Sequence, residues 1–206
     1  MLVCGSMYAQ QDLTNINLDT YLLEQGARPI EGFVSSSQKM GLIKDMQALP
    51  QIKKILEIGF NAGHSSELFL SATDCEKMIS FDINTHSYLK IGREFITKKF
   101  RSRFQFIEGD SREQIPKYAA SHSQETFDLI FIDGGHSFNV CFSDIMNCGQ
   151  LAHPETLVII DDYVEEVKTA VDTCVHLGLI SIPDVRYSTD AIFGERIWVV
   201  AKYLKQ

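Results

Sequence analysis

From Gln51 onward the chain alternates short, almost purely apolar runs with amphipathic stretches, and this alternation restricts the fold more than any other property of the sequence. Runs with strand character are Lys54–Ile58, Lys77–Asp82, Arg103–Glu108, Phe127–Asp133, Leu157–Asp161, Asp184–Ser188 and Ile197–Lys202. Helical spacing lies between them. Phe138, Cys141, Phe142 and Ile145 recur at i, i+3, i+4 and i+7, as do Val164, Val167 and Val171, with Cys174 and Val175 a turn later. Tyr88, Ile91 and Phe95 mark another helix, and Ser65–Ala72 follows the first strand. Repeated strand–helix–strand units demand a mainly parallel sheet with helices on both faces and right-handed crossovers. Leu129–Ile132 and Leu157–Ile160 are continuously apolar, as strands buried on both sides must be. The link Thr189–Glu195 is too short for a helix, so the last two strands form an antiparallel hairpin at the sheet edge.

The chain of 206 residues has room for one substantial domain. We expect an N-terminal helical segment over residues 1–50 (helices Asp19–Gln25 and Ser36–Ala48) that caps the ligand mouth or forms an interface, and a main domain over 51–206. A formal charge of -8 disfavours a phosphate backbone as partner, so no nucleic acid is expected. No apolar run reaches the ~18–20 residues of a membrane span, so no membrane association is expected. Met1–Gln11 lacks the basic start and apolar core of a signal peptide. Cys4, Cys75, Cys141, Cys148 and Cys174 show no C-x-x-C spacing, which reads as a reduced, cytoplasmic protein.

Ligands of open α/β sheets bind at the carboxyl ends of the strands, and here several strands end in carboxylates. Asp82 ends the second, Asp110 follows the third, Asp133 ends the fourth, and Asp161 and Asp162 end the fifth. Any single one reads as an N-cap or turn residue; four strands ending this way is more than capping requires. The first strand leads into Glu57-Ile-Gly59-Phe-Asn61-Ala-Gly63-His-Ser65. Gly59 permits a tight turn, and Gly63 lets backbone approach a ligand at the start of the next helix. The spacing departs from G-x-G-x-x-G, which argues against a dinucleotide dehydrogenase.

These motifs resemble those of class I S-adenosylmethionine-dependent methyltransferases from Gln51 to the C-terminus. Glu57-x-Gly59-x-x-x-Gly63-x-Ser65, with Asn61 inside it, is similar to the family's first motif. Phe81-Asp82-Ile83-Asn84 resembles the second, whose acid accepts from the ribose hydroxyls. Glu108-Gly109-Asp110-Ser111 resembles the adenine-side loop. The resemblance implies a seven-stranded, mostly parallel Rossmann-like methyltransferase sheet with a C-terminal antiparallel hairpin. It also implies cofactor contacts at Glu57, Gly59, Asn61, Gly63, Ser65, Asp82, Ile83, Asp110, Ser111 and Asp133.

More narrowly, the chain resembles the cation-dependent O-methyltransferases of the catechol, caffeoyl-coenzyme A and antibiotic-sugar types. Asp133, Asp161 and Asp162 match that type's metal ligands, with Asp162 standing where the catechol type carries Asn. Three carboxylates at one point suit Mg2+ or another divalent cation. The alternative is that Asp161 and Asp162 cap the helix after them. His136, three residues beyond Asp133, holds the position of the catechol type's lysine base, and an imidazole suits that task; capping, or ligation of the metal, is equally open. His64 is read as packing or touching the cofactor's carboxylate, and His86, His122, His153 and His176 as surface positions. The segment Phe33–Met40 resembles one bordering the cofactor's amino-acid end, while Ser35–Ser37 equally suit N-capping. Tyr163 lines the acceptor pocket or starts a helix; Tyr187, Phe193 and Trp198 belong to the hairpin's apolar side.

The implied reaction moves a methyl group to an oxygen of a small-molecule acceptor, with His136 and Asp133 as catalytic residues. Metal-independent methyl transfer, aminopropyl transfer and a non-catalytic S-adenosylmethionine-binding protein remain as rivals. The families resembled are often homodimers, so a homodimer is a further expectation.

Overall fold

The computed structural model describes residues 13–192 and 194–204. Cys4, the stretch Met1–Gln11 and Phe193 lie outside the described residues. The strands are β1 (Lys54–Ile58), β2 (Lys77–Asp82), β3 (Phe104–Glu108), β4 (Phe127–Ile132), β5 (Ala152–Ile160), β6 (Ile180–Asp190) and β7 (Gly194–Tyr203). The helices are α1 (Leu18–Glu24), α2 (Ser36–Met46), α3 (His64–Ala72), α4 (Leu89–Phe100), α5 (Ser111–Ser121), α6 (Phe138–Cys148) and α7 (Glu165–His176). The strands form one seven-stranded sheet in the order β3-β2-β1-β4-β5-β7-β6, parallel except where β7 runs against β5 and β6. The expected fold class is therefore present.

Chain direction across the sheet reverses between β1 and β4, the switch point at which such sheets open a crevice. The register makes the strand tips flush there. Ile58 pairs with both Phe81 and Ile132, and Ile132 pairs with Ile160. The ladder runs one residue further, since the amides of Gly59, Asp133 and Asp161 donate to Phe81, Ile58 and Ile132 at 2.9, 2.9 and 3.0 Å. The polar residues that follow each apolar run are thereby set side by side.

Successive residues of β1 point to opposite faces. Ile55 joins a core with Leu18, Tyr21, Leu22, Leu42, Phe69, Phe95, Phe131 and Trp198. Leu56 joins another with Ile79, Ile115, Ile145, Ile160 and Val171. Each such side chain contributes roughly 1.5–3 kcal/mol. The N-terminal helices thus share a core with the sheet. α2 lies tight against β7 because Gly41 has no side chain; a Cβ there would sit 2.5 Å from the Trp198 ring. Asp45, also on α2, accepts from Trp198 Nε1 at 2.9 Å and Arg186 Nε at 2.8 Å.

Some boundaries differ from the sequence reading. β5 starts at Ala152, and β6 and β7 extend well beyond their apolar cores, because ladder bonds continue wherever a partner strand is present. α7 begins at Glu165 with Val164 as N-cap and no side-chain cap. Asp161 and Asp162 therefore do not cap it, and Tyr163 stands before it. Cys75, Cys141, Cys148 and Cys174 are buried free thiols. Among the described residues no helix is long and apolar enough to cross a membrane.

Candidate active site

The loop after β1 is held by the acid that ends β2. Asp82 Oδ2 accepts from the amides of Phe60 and Asn61 at 2.9 and 2.8 Å, and Oδ1 from that of Asn84 at 2.7 Å. Asp82 therefore shapes the glycine loop besides lining the crevice. Gly59 has φ +92°, and a Cβ there would lie 1.8 Å from the Asp133 carbonyl oxygen, so only glycine lets β1 and β4 close together. Gly63 has another reason. Its φ is +97°, and a Cβ would strike Phe60 at 2.7 Å, so packing against Phe60 also holds this position to glycine.

Glu57 is fully buried beneath the loop. It accepts from Ser65 Oγ at 2.6 Å and from Ser66 Oγ and Ser80 Oγ, tying the first turn of α3 to β1 and β2. Burial pushes its carboxyl up to about 7, against the pull of those hydroxyls. His64 is also buried, with Nε2 2.8 Å from Asp19 Oδ1, so it joins α1 to α3. On the far side Asp110 caps α5 through the Arg112 amide at 2.9 Å and pairs with the Arg112 guanidinium. Asp144, on α6, is buried, and burial lifts its carboxyl to about 7.

The acidic tips of β4 and β5 meet. Burial, then Asp161 and Asp162, raises the Asp133 carboxyl well above its ordinary value. Asp161 is pushed up to about 7 by burial and then by Asp162. Asp161 Oδ2 accepts from Gln38 Nε2 at 2.7 Å, while Oδ1 is buried without a partner. Asp162 has φ +49°, a left-handed turn that carries it out of the strand direction. Its Oδ2 lies 3.2 Å from His136 Nε2 and its Oδ1 3.4 Å from Arg196 Nη1. His136 is 63% exposed. One ligand atom each from Asp133, His136 and Asp162 lies within 4.8 Å of the others, the spacing of a cation site. Three carboxyl groups face one guanidinium, and carboxyl oxygens with one imidazole suit a divalent ion, which would hold the acids ionised. The residues fit such an ion, and Asp161, whose Oδ1 has no partner, stands beside the trio.

A crevice of about 290 Å3 runs along the tips of β1, β2, β3 and β4, close to the ~300 Å3 lower end of small-molecule sites. Of the expected cofactor residues, Gly59, Asn61, Asp82, Ile83, Asp110, Ser111 and Asp133 line it; Glu57, Gly63 and Ser65 stand behind it. Sequence reasoning passed over Glu31, whose carboxylate meets His86 Nε2 at 2.7 Å beside the crevice, and Arg196 at the acidic end, and gave Gln38 no role of its own within Phe33–Met40. The spacing of polar residues along β7 and α2 carries no local sign of a partner so distant in sequence. A larger hollow of about 430 Å3, between Ile43, Leu49, Ile52 and Ala72, lies by the amino end of β1 and has only Asp74 as an acid.

A family profile described as a methyltransferase domain matches residues 56–163, more than half of the chain and the whole stretch from the glycine loop to the acidic pair. The chain belongs to the methyltransferase-domain family. The resemblance read from its motifs is borne out at that level. No curated protein sequence matches it. Among solved structures, this methyltransferase is similar to the O-methyltransferase from Bacillus cereus in complex with S-adenosylhomocysteine, with 18% identity, TM-score 0.73, and 96% of this chain and 93% of that one covered. It is similar to TomG from Streptomyces achromogenes, an O-methyltransferase of tomaymycin synthesis in complex with S-adenosylmethionine, with 15% identity, TM-score 0.71, and coverage of 97% and 93%. Cofactor-bound Rv0187 from MTB gives 16% identity, TM-score 0.74, and coverage of 98% and 94%. At these identities the likeness establishes the fold.

Proposed function

We propose that this methyltransferase moves the methyl group of S-adenosylmethionine to an oxygen of a small molecule, assisted by Mg2+ or a similar divalent cation. One observation carries the reading: Asp133 both lines the crevice and belongs to the acidic cluster with Asp161 and Asp162. Asp82 and the loop at Gly59–Asn61 would hold the nucleoside, with Asp82 accepting from the ribose through lone pairs its backbone bonds leave free. Ser111 and Asp110 would border the adenine. The sulfonium is already a strong electrophile, so the protein must align the acceptor and make its oxygen electron-rich. A bound cation, held by Asp133, Asp162 and neighbours, would supply Lewis-acid polarisation of the acceptor hydroxyl. His136, exposed at the rim beside Asp162, would take the proton to solvent, with the cation left to the carboxylates.

Metal-independent transfer is the second reading, favoured by Arg196, whose guanidinium already offsets part of the acidic charge. Heat stability with S-adenosylhomocysteine, with and without Mg2+, tests both parts. Ligand at a hundred times its Kd stabilises by about 2.7 kcal/mol. No shift with S-adenosylhomocysteine refutes the cofactor; methylation at an undiminished rate in EDTA refutes the cation.

A further inference from the structure

We propose that Gln38 is a positioning residue of the acidic centre, holding Asp161 in place through its side-chain amide, so that helix α2 is a working part of the active site. The inference rests on the cation reading above. Gln38 Nε2 donates to Asp161 Oδ2 at 2.7 Å across 123 residues of sequence, and the bond is buried. Three features of α2 bring the amide there. Ser35 Oγ caps the helix by accepting from the Gln38 backbone amide at 3.1 Å. Gly41 lets the helix lie against Trp198, and Asp45 bonds the Trp198 indole and the Arg186 guanidinium.

The chemistry of the donor matters. A lysine or arginine at this place would cancel the charge of Asp161, whereas a neutral amide orients the carboxylate and leaves its charge for a cation. The bond fills Oδ2 and leaves Oδ1, buried and unpartnered, as the available oxygen. Asp161 borders a small cavity of about 10 Å3 together with Asp133 and His136, roughly the room of a single water-sized sphere. Gln38 Oε1 is likewise buried without a partner. A leucine would fill this position without that unsatisfied acceptor, so packing alone does not account for the amide.

The test uses the full chain, with Mn2+ as the probe, titrated by calorimetry and followed by electron paramagnetic resonance. S-adenosylhomocysteine binding is measured in parallel on wild type, Gln38→Met, Asp161→Asn and the double variant. Partners that orient metal ligands typically contribute 10–100-fold to affinity. Gln38→Met is expected to weaken Mn2+ binding at least tenfold, to leave S-adenosylhomocysteine binding unchanged, and to cause no further loss on the Asp161→Asn background. Unchanged Mn2+ affinity in Gln38→Met overturns the proposal. So does a loss that persists undiminished in the double variant, or one matched by S-adenosylhomocysteine, since either assigns α2 a merely structural role. If Gln38→Met does not fold, Gln38→Asn, which keeps an amide but draws it back by one methylene, gives the same reading. A wild-type protein that binds S-adenosylhomocysteine but no Mn2+ removes the cation reading itself, a separate failure that takes this one with it.

Discussion

Replacing Glu57 by glutamine should change how stability depends on pH, in a direction set by its burial. In the fold its carboxyl is pushed from an ordinary 4.5 to about 7. A raised carboxyl is stabilising relative to the unfolded chain only while both are protonated. Below pH ~4.5 nothing is lost; as pH climbs through 4.5 the unfolded state ionises first, and the loss is complete once pH passes about 7. The interval from 4.5 to about 7, at about 1.4 kcal/mol per pH unit, makes the loss about 3 kcal/mol. A glutamine side chain cannot ionise and avoids it. Against this, glutamine offers one acceptor oxygen where the three serine hydroxyls now have two, a pH-independent cost of about 1 kcal/mol. Glu57→Gln is therefore expected to be slightly less stable than wild type at pH 4 and more stable by about 2 kcal/mol at pH 8, roughly 4–8 °C in Tm for a chain of this size. The curves cross between. Asp144 and Asp161 titrate with the same sign in both proteins, and Asp133, which the Glu57 charge helps to raise, shifts in the same direction as the substitution, so the difference between urea-unfolding free energies at each pH reports Glu57 together with its coupling to Asp133. A difference that stays flat from pH 4 to 8 would refute the buried-acid reasoning.

Gly59→Ala places a methyl 1.8 Å from the Asp133 carbonyl oxygen at φ +92°; a loss of at least ~3 kcal/mol is expected, and a wild-type urea midpoint would contradict it. Asp82→Ala removes the acceptor for three loop amides, so S-adenosylhomocysteine affinity should fall about tenfold or more; unchanged affinity by calorimetry would separate Asp82 from the ligand. Glu125, though burial raises it, is held down to about 2 by Tyr118, Lys77 and Lys54. Its stabilisation is present above pH ~4.5 and lost as pH falls toward 2. Glu125→Gln should therefore flatten the acid limb of the stability curve, and an identical limb in both proteins would remove this network from the account.

Much of the framework was legible because it is written locally. The apolar runs at Lys54–Ile58 and Lys77–Asp82 coincide with β1 and β2, and the glycine loop and Asp82 lie together as their motifs implied. Glu57, Gly63 and Ser65 were legible as a motif, but the bonds from Ser65, Ser66 and Ser80 to Glu57 were not. Pattern matching cannot distinguish a carboxylate that faces a ligand from one that binds three serines beneath the loop. His136 and Asp162 were each visible, but their 3.2 Å approach depends on the left-handed turn at Asp162. Asp110 and Ser35 behaved as the caps their residue types suggest.

The order of strands and helices, the acids at strand ends and the family itself follow from the sequence alone, since hydrophobic period and turn chemistry act between near neighbours in the chain. Only the folded molecule decided which oxygens remain available. The bonds from Gln38 to Asp161 and from Trp198 to Asp45 join residues 123 and 153 apart. Such bonds exist because one core, with Leu42, Ile159 and Trp198 among its members, brings α2, β5 and β7 together, and no window of sequence contains both partners.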